Sequence, residues 1–329
     1  MSNKNTQEIR WGILGCGDVT EVKSGPAYSQ TAGFKIQAVM RRNLEKVKDY
    51  AKRHGIEKYY TNADELINDP EVDAVYIATP PDSHMLYALK VAAAGKPCCV
   101  EKPLANSYED SQRITTAFSE KNLPLFVAYY RRTLPRFEQV NKWLKDGEIG
   151  ETRHIDWHFS KPPNDIDLSE APNWRTDPTM APGGYFDDLA SHGLDLFIHY
   201  LGNIKEVSGI QVNQQGLYKV SDAFTANWLH ENGVTGTANL NFGCAYREDN
   251  VKIFGSKGTI EFSVFEENPI VLKYGEEREV LEIKHPKHIQ KYHVENMKKE
   301  LFQEGYVHPS NGATATHTTW VMDKILGNI

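Results

Sequence analysis

The stretch IRWGILGCGDV, residues 9–19, constrains this chain most. An apolar run of strand length ends on Gly15 and Gly17, two glycines one residue apart. Such a turn reaches backbone conformations closed to other residues and lets a ligand approach the main chain. Further apolar runs follow at FKIQAVM (34–40), VDAVYIA (72–78), PCCV (97–100) and LFVAY (125–129). Between them the sequence predicts helices. One runs over Leu44–His54, stopped by Gly55; another over Ala63–Ile67, behind an Asn62 cap; a third over Ser83–Ala94, ended by Gly95; a fourth near 107–121. Strands alternating with helices imply a parallel, doubly wound sheet.

After about residue 150 the pattern changes. ETRHIDWHFS, IKEVSGIQVN, DAFTANWLH, VTGTANLNFG, NVKIFGS and GTIEFSVF alternate as strands do, with short turns between them. They predict an open-faced, mostly antiparallel sheet with one wetter side. Helices are expected at 184–200 and 313–325. The fold class is thus α/β followed by α+β. The boundary is drawn between residues 1–130 and residues 131–329.

A chain of 329 residues with 40 % hydrophobic content is long for one core, which fits two domains. The net charge is -7, with no basic block to track a phosphate backbone, so nucleic acid is not expected. No apolar run reaches membrane-spanning length, and MSNKNTQEIR lacks the apolar core of a secretory leader. The four cysteines (Cys16, Cys98, Cys99, Cys244) show no metal-ligand spacing. Reduced thiols in a cytoplasmic protein are the simplest account.

The glycine turn suits a pyrophosphate on the backbone of Gly15, Gly17, Asp18 and Val19. Thr20 stands where the pattern has a third small residue, and Gly25-Pro26 delays the expected helix to near Pro26. An ordinary ligand-free turn is the plain alternative. At the end of the second strand, AVMRRN puts Arg41 where an NAD-type site carries an acid. Arg42 and Lys46 follow. Guanidinium groups suit the extra phosphate of NADP, with NAD as the second choice; the plain alternative is solvated charge.

The stretch GGYFDDLASHGLDLFIHYLG (183–202) spaces Asp188, His192, Asp195 and His199 by four, three and four. On one regular helix they would share a face, opposite a core side of Leu189, Leu196, Phe197 and Tyr200. Imidazole moves protons near neutral pH and carboxylates hold hydroxyls or imidazoles. The same pattern also serves as a surface pair or a metal-ligand pair.

ATPPDSHMLYALKVAAAGKPCCVEKPLA (78–105) carries Thr79-Pro80, His84, Ala94-Gly95-Lys96 and Glu101-Lys102-Pro103 in order. Asn173-Trp174-Arg175, Gly183-Gly184, Asp188, His192 and Asp195 follow. In this series the chain resembles the Gfo/Idh/MocA (glucose–fructose oxidoreductase / inositol dehydrogenase) family over essentially its whole length. The resemblance implies an N-terminal Rossmann domain and an open-faced C-terminal sheet. It implies Lys102, Asp188 and His192 as the catalytic group, with His192 as general acid/base and Lys102 stabilising an alkoxide-like oxygen. It implies Asp195 near the substrate, and Thr79, Pro80, His84, Glu101, Lys102, Trp174 and Arg175 about the cofactor. No metal is implied. His199 matches no family position and is expected to be structural. Tyr130, in AYYRRTLP, replaces an Asn of relatives at the cofactor and substrate and would reshape the pocket.

Family members mostly act on sugars and cyclitols, so the resemblance implies hydride transfer to or from a polyhydroxylated small molecule, with Asp195, Tyr130 and Trp174 contacting it. A dihydrodiol-type dehydrogenase and a non-catalytic dinucleotide-binding sensor are the alternatives. The sheet face left open after residue 150 implies a homodimer or homotetramer.

Overall fold

The computed structural model describes residues 8–169 and 171–329. The no-leader reading rests largely on residues 1–7, outside the described residues. The chain forms two compact units. The first comprises the residues up to Ala105, then Glu109–Tyr130 and Pro286–Thr316. The second comprises Asn106–Tyr108, Arg131–His285 and His317–Ile329. The single boundary at 130/131 therefore misses a return: residues 286–316 pack with the first unit.

In chain order the regular elements begin with β1 (Ile9–Leu14), α1 (Asp18–Val22), α2 (Gly25–Gln30), β2 (Phe34–Met40), α3 (Leu44–His54) and β3 (Lys58–Tyr60). Then come α4 (Ala63–Ile67), β4 (Ala74–Ile77), α5 (His84–Ala93), β5 (Cys98–Val100), α6 (Tyr108–Ser119) and β6 (Leu125–Val127). After α7 (Pro135–Lys145) and β7 (Thr152–Ser160) lies α8 (Ser191–Leu201). Strands β8 (Ile204–Val212), β9 (Ala223–His230), β10 (Thr235–Asn241), β11 (Glu248–Gly255), β12 (Gly258–Phe262), β13 (Ile270–Tyr274) and β14 (Glu277–Leu281) follow. Helices α9 (Lys291–Phe302) and α10 (Gly312–Leu326) end the series.

The first unit is built on a six-stranded parallel sheet in the order β3-β2-β1-β4-β5-β6. Its strands are buried on both sides, which explains their continuous apolar runs. Leu14, Val75, Ile77, Val100 and Val127 join one core layer. Trp11, Ile13, Tyr76 and Phe126 join the other, where Val294 and Met297 of α9 also pack. Asn43 and Asn62 cap α3 and α4 through their side chains, and Gly55 ends α3 at φ 66°. The strand order reverses between β1 and β4, the place where doubly wound sheets bind ligands at their carboxyl ends.

The second unit holds an eight-stranded sheet, β14-β13-β12-β11-β7-β10-β9-β8. Its pairs are antiparallel except β7 with β10. One side is apolar: Ile155, Trp157, Phe159, Ala226, Trp228, Leu240, Val251 and Ile253 are buried. The other is polar and cross-bonded. Thr225 Oγ1 donates to Asn239 Oδ1 (3.2 Å), Ser208 Oγ to Asn227 Oδ1 (3.1 Å), and Lys252 and Lys273 both pair with Glu261 (2.9 Å each).

Candidate functional site

In the first unit the glycine turn lies at the switch point. Gly15 has φ +88°, and a Cβ there would come within 2.8 Å of Thr79 and 2.9 Å of the Ala78 carbonyl. Only glycine fits between the β1 and β4 ends. Gly17 is different: a Cβ would meet nothing closer than Gly15 O at 3.8 Å. The fold does not fill that space, which leaves the backbone open to a pyrophosphate. The amides of Gly15 and Cys16 donate to Met40 O and that of Thr20 to Gly17 O, so a phosphate would fall to the Asp18 and Val19 amides that open α1. Asp18 and Val19 open α1 directly after Gly17. The delayed helix start expected near Pro26 is thus corrected. A short helix forms first, because Thr20 is fully buried and its hydroxyl donates to Gly17 O (2.8 Å); α2 then begins at Gly25 with Pro26 in its first turn. Gly25 allows the break, since a Cβ would lie 2.2 Å from Thr20 O.

Arg41, half-buried at the end of β2, folds back so that Nη1 donates to Cys16 O (3.2 Å). Arg42 and Lys46 are exposed, before and within the first turn of α3. Thr79 and Pro80 are half-buried at the end of β4. His84, expected about the cofactor, is fully buried. Its Nδ1 lies 2.9 Å from Pro103 O and its Nε2 2.8 Å from Thr79 O, tying the ends of β4 and β5 together. Burial lowers its pKa while the two carbonyls oppose that shift. Glu101 and Lys102 follow β5 and are half-buried. Glu101 Oε1 accepts from Tyr76 Oη (2.6 Å) and from Gln290 Nε2 (2.7 Å). The Lys102–Pro103 bond is cis.

In the second unit the polar stripe does not lie on one regular helix. Residues Phe186–Ala190 form a π turn, and α8 starts only at Ser191. The wider turn shifts Asp188 off the register of His192, as π-bulges do at functional sites. Nor is α8 amphipathic toward solvent: residues 191–198 are all buried, His192 to 5 % exposure and Asp195 to 1 %. Gly193 makes this possible, because a Cβ would enter the Trp157 ring at 2.5 Å. The His192 ring meets Phe265 edge to face at 6.1 Å, and the Arg131 guanidinium lies 4.6 Å over the same Phe265 ring.

Both acids of the stripe are paired with arginines. Asp195 receives Arg132 Nε and Nη2, each at 2.7 Å, and Thr318 Oγ1 at 3.1 Å. Asp195, expected near the substrate, has both oxygens engaged in this buried pair, which ties Arg132 of the 3-10 turn Tyr130–Thr133 to α8. Tyr130 opens that turn and is half-buried. Arg175, expected to reach the cofactor, donates to Asp188 Oδ2 (2.7 Å) and stacks on Trp174 (4.5 Å). His199 meets Asn141 (3.3 Å), and burial, with Arg132 and Lys145, pushes its pKa down to about 3.

Sequence reasoning missed a second buried cluster on the approach to α8. Asp167 accepts from Tyr185 Oη (2.6 Å), Asn164 Nδ2 (3.0 Å) and Asn173 Nδ2 (2.8 Å), and Lys161 Nζ lies 5.0 Å over the Tyr185 ring. It holds Asn173, which caps the turn carrying Trp174 and Arg175. No motif marks it; these residues meet only through the fold of a long loop. Among the described residues no group of His, Cys, Asp and Glu is arranged to hold a metal ion, and no helix is long and apolar enough to cross a membrane.

Comparison with known proteins agrees with this architecture. Residues 9–129 match a family described as "Oxidoreductase family, NAD-binding Rossmann fold", and 137–261 match the GFO/IDH/MocA C-terminal domain. The chain is 36 % identical to Oxidoreductase P35 of Formosa agariphila, over 97 % of this chain and 98 % of that protein. It is 29 % identical to levoglucosan dehydrogenase of Pseudarthrobacter phenanthrenivorans, over 64 % of this chain and 54 % of that protein. A solved levoglucosan dehydrogenase in complex with NADH and L-sorbose superposes with a TM-score of 0.88 at 22 % identity, covering 98 % and 96 % of the two chains. The chain belongs to the GFO/IDH/MocA oxidoreductase family and is an NAD(P)-binding oxidoreductase.

Proposed function

We propose that the protein transfers a hydride between NADP(H) and a secondary alcohol or carbonyl of a sugar, cyclitol or related polyol. The bound nicotinamide supplies or accepts the hydride. The chain's residues do the rest. His192 takes the hydroxyl proton as the carbinol is oxidised and returns it on reduction. Lys102 places its ammonium by the oxygen that gains negative charge. The observation that carries this reading is the pairing along α8. His192 is an imidazole, the side-chain type that exchanges protons near neutral pH, set directly after the π turn where Asp188 is met by Arg175, and followed by Asp195, met by Arg132, and by His199, held neutral. Asp188, tied to Arg175, fixes the turn before His192 rather than acting as a base.

NADP is preferred on the strength of Arg41, Arg42 and Lys46 and of the missing acid after β2. Arg41 already lies on the glycine turn, and a 2′-phosphate would draw its guanidinium from the Cys16 carbonyl into a charge-assisted contact. Hydroxyl-rich substrates are favoured because relatives include a levoglucosan dehydrogenase. We further propose a cytoplasmic homodimer or homotetramer joined through the second unit's open sheet face. That face is polar, so its association would rest on hydrogen bonds and charge pairs rather than on hiding apolar surface.

NADPH and NADH fluorescence titrations, followed by turnover against a panel of ketoses, aldoses, cyclitols and a trans-dihydrodiol, test the reading. Tighter NADPH binding with turnover of a sugar or cyclitol is expected. Binding without any turnover would reject it in favour of a sensor. Turnover of the dihydrodiol alone would replace the substrate class. A monomeric mass in light scattering at micromolar concentration would reject the assembly.

A further inference from the structure

The segment before α9 runs back to the glycine-turn end of the first unit. His288 Nδ1 donates to Val22 O (2.8 Å) at the end of α1, and Gln290 N approaches Lys23 O (3.4 Å). Two residues after His288, the Gln290 side chain crosses to β5, where Nε2 donates to Glu101 Oε1 at 2.7 Å. A carboxylate only accepts, so the amide nitrogen must face it, and the amide oxygen points elsewhere. That oxygen is buried with no hydrogen-bond partner, in a side chain 1 % exposed. A buried acceptor without a donor is unfavourable, and an apolar side chain of similar size would avoid it. The glutamine therefore does something its own stability does not explain.

Its one strong contact is Glu101 Oε1, which it shares with Tyr76 Oη at 2.6 Å. Burial, and then Glu101 itself, push the Tyr76 hydroxyl well up, so it remains a donor. Tyr28 of α2, Cys99 of β5 and His84 of α5 are also titratable groups in electrostatic reach of this carboxylate. The opposite oxygen, Oε2, accepts from the Lys102 backbone amide (3.3 Å). We infer that Gln290 is a positioning residue: with Tyr76 it pins the Glu101 carboxylate, and through it the Glu101-Lys102 step that meets the dinucleotide. The inference rests on the role given to Lys102 above.

The test compares Gln290→Met and Gln290→Glu in the full chain, reading melting temperature, NADPH and NADH Kd, and kcat across pH. Gln290→Met should melt at or above the wild-type temperature. It should nevertheless lower kcat by about tenfold to a hundredfold, the scale of small misplacements near reacting groups. Gln290→Glu should behave distinctively. Protonated, its acid can still donate to Glu101; ionised, the two carboxylates repel. Its kcat and cofactor affinity should therefore fall as pH rises through a carboxyl pKa raised above the usual range, a limb absent from the wild type. Tyr76→Phe removes the other donor to the same oxygen and should reproduce the kcat loss, whether or not the Gln290 variants fold well. Wild-type kcat and Kd at every pH in the folded variants would overturn the inference. Should no polyol turn over in the wild type, the proposed function fails, while the cofactor Kd series still decides the role of Gln290.

Discussion

The glycine turn of the first unit and helix α8 of the second solve opposite problems. At the turn, the chain offers backbone: Gly17 leaves space, and the side chains around it, His84 and Thr20, are buried props. On α8 the chain offers side chains, and nearly all of them are buried, so their charges must be settled internally. Arg132 does that for Asp195, while Arg175 pairs with the half-buried Asp188 in the π turn before α8. A ligand site made of backbone tolerates side-chain change nearby. One made of buried side chains fails when any partner is lost, because an unpaired buried charge remains.

That contrast can be broken at several points. The largest effect is expected at His192: His192→Ala should cut turnover by about 100- to 10,000-fold while NADPH Kd stays within about twofold. Next is the buried pair. Arg132→Met leaves the Asp195 carboxylate beside the Thr318 hydroxyl but without its counter-charge and should cost about 3–5 kcal/mol in urea unfolding, whereas Arg132→Met with Asp195→Leu should recover most of that loss. If the single variant is as stable as wild type, α8 is not held by its charge pairs. In the first unit, Arg41→Asp should weaken NADPH about 10- to 100-fold and NADH much less, the worth of a charge-assisted contact. Equal losses for both cofactors would refute the assignment.

The smallest expected effect is one of pH. His199 is neutral in the folded state with its pKa near 3, against 6.5 for the free side chain. The unfolded chain thus takes up a proton first as pH falls below 6.5, and stability is lost across the window from 6.5 toward 3. At about 1.4 kcal/mol per pH unit, wild type should lose roughly 2 kcal/mol from this residue between pH 6.5 and 5. His199→Gln, compared by urea midpoints at the two pH values, should lose correspondingly less. An unchanged slope would show that His199 is more open to water than its packing indicates.

How much of this the sequence discloses follows from the same contrast. The first unit is written in local signals: Asn43 and Asn62 caps, Gly55 and Gly95 stops, and apolar strand runs all fall within a residue or two of their observed places. The short β3 edge strand and α9 escape that reading. For α9 the signal is present, since Val294, Met297 and Leu301 recur at helical spacing, but it stands far from the sheet it covers. Around α8 the residues were visible and their arrangement was not. Spacings of three and four presume a regular helix, and a π turn at Phe186–Ala190 breaks the register. Nor does spacing tell that Asp195 lies against Arg132, 63 positions back. Charge pairing between distant segments is a property of the fold, and it engages both acids of the stripe.

The central claim is that His192 exchanges the proton of the reacting hydroxyl. It is tested most directly by the pH dependence of kcat/KM for alcohol oxidation in wild type and His192→Ala. The account predicts one ionisation near neutrality in the wild type, with activity rising as the imidazole loses its proton, and no such limb in the variant. The same limb, with the same midpoint, persisting in His192→Ala would contradict it.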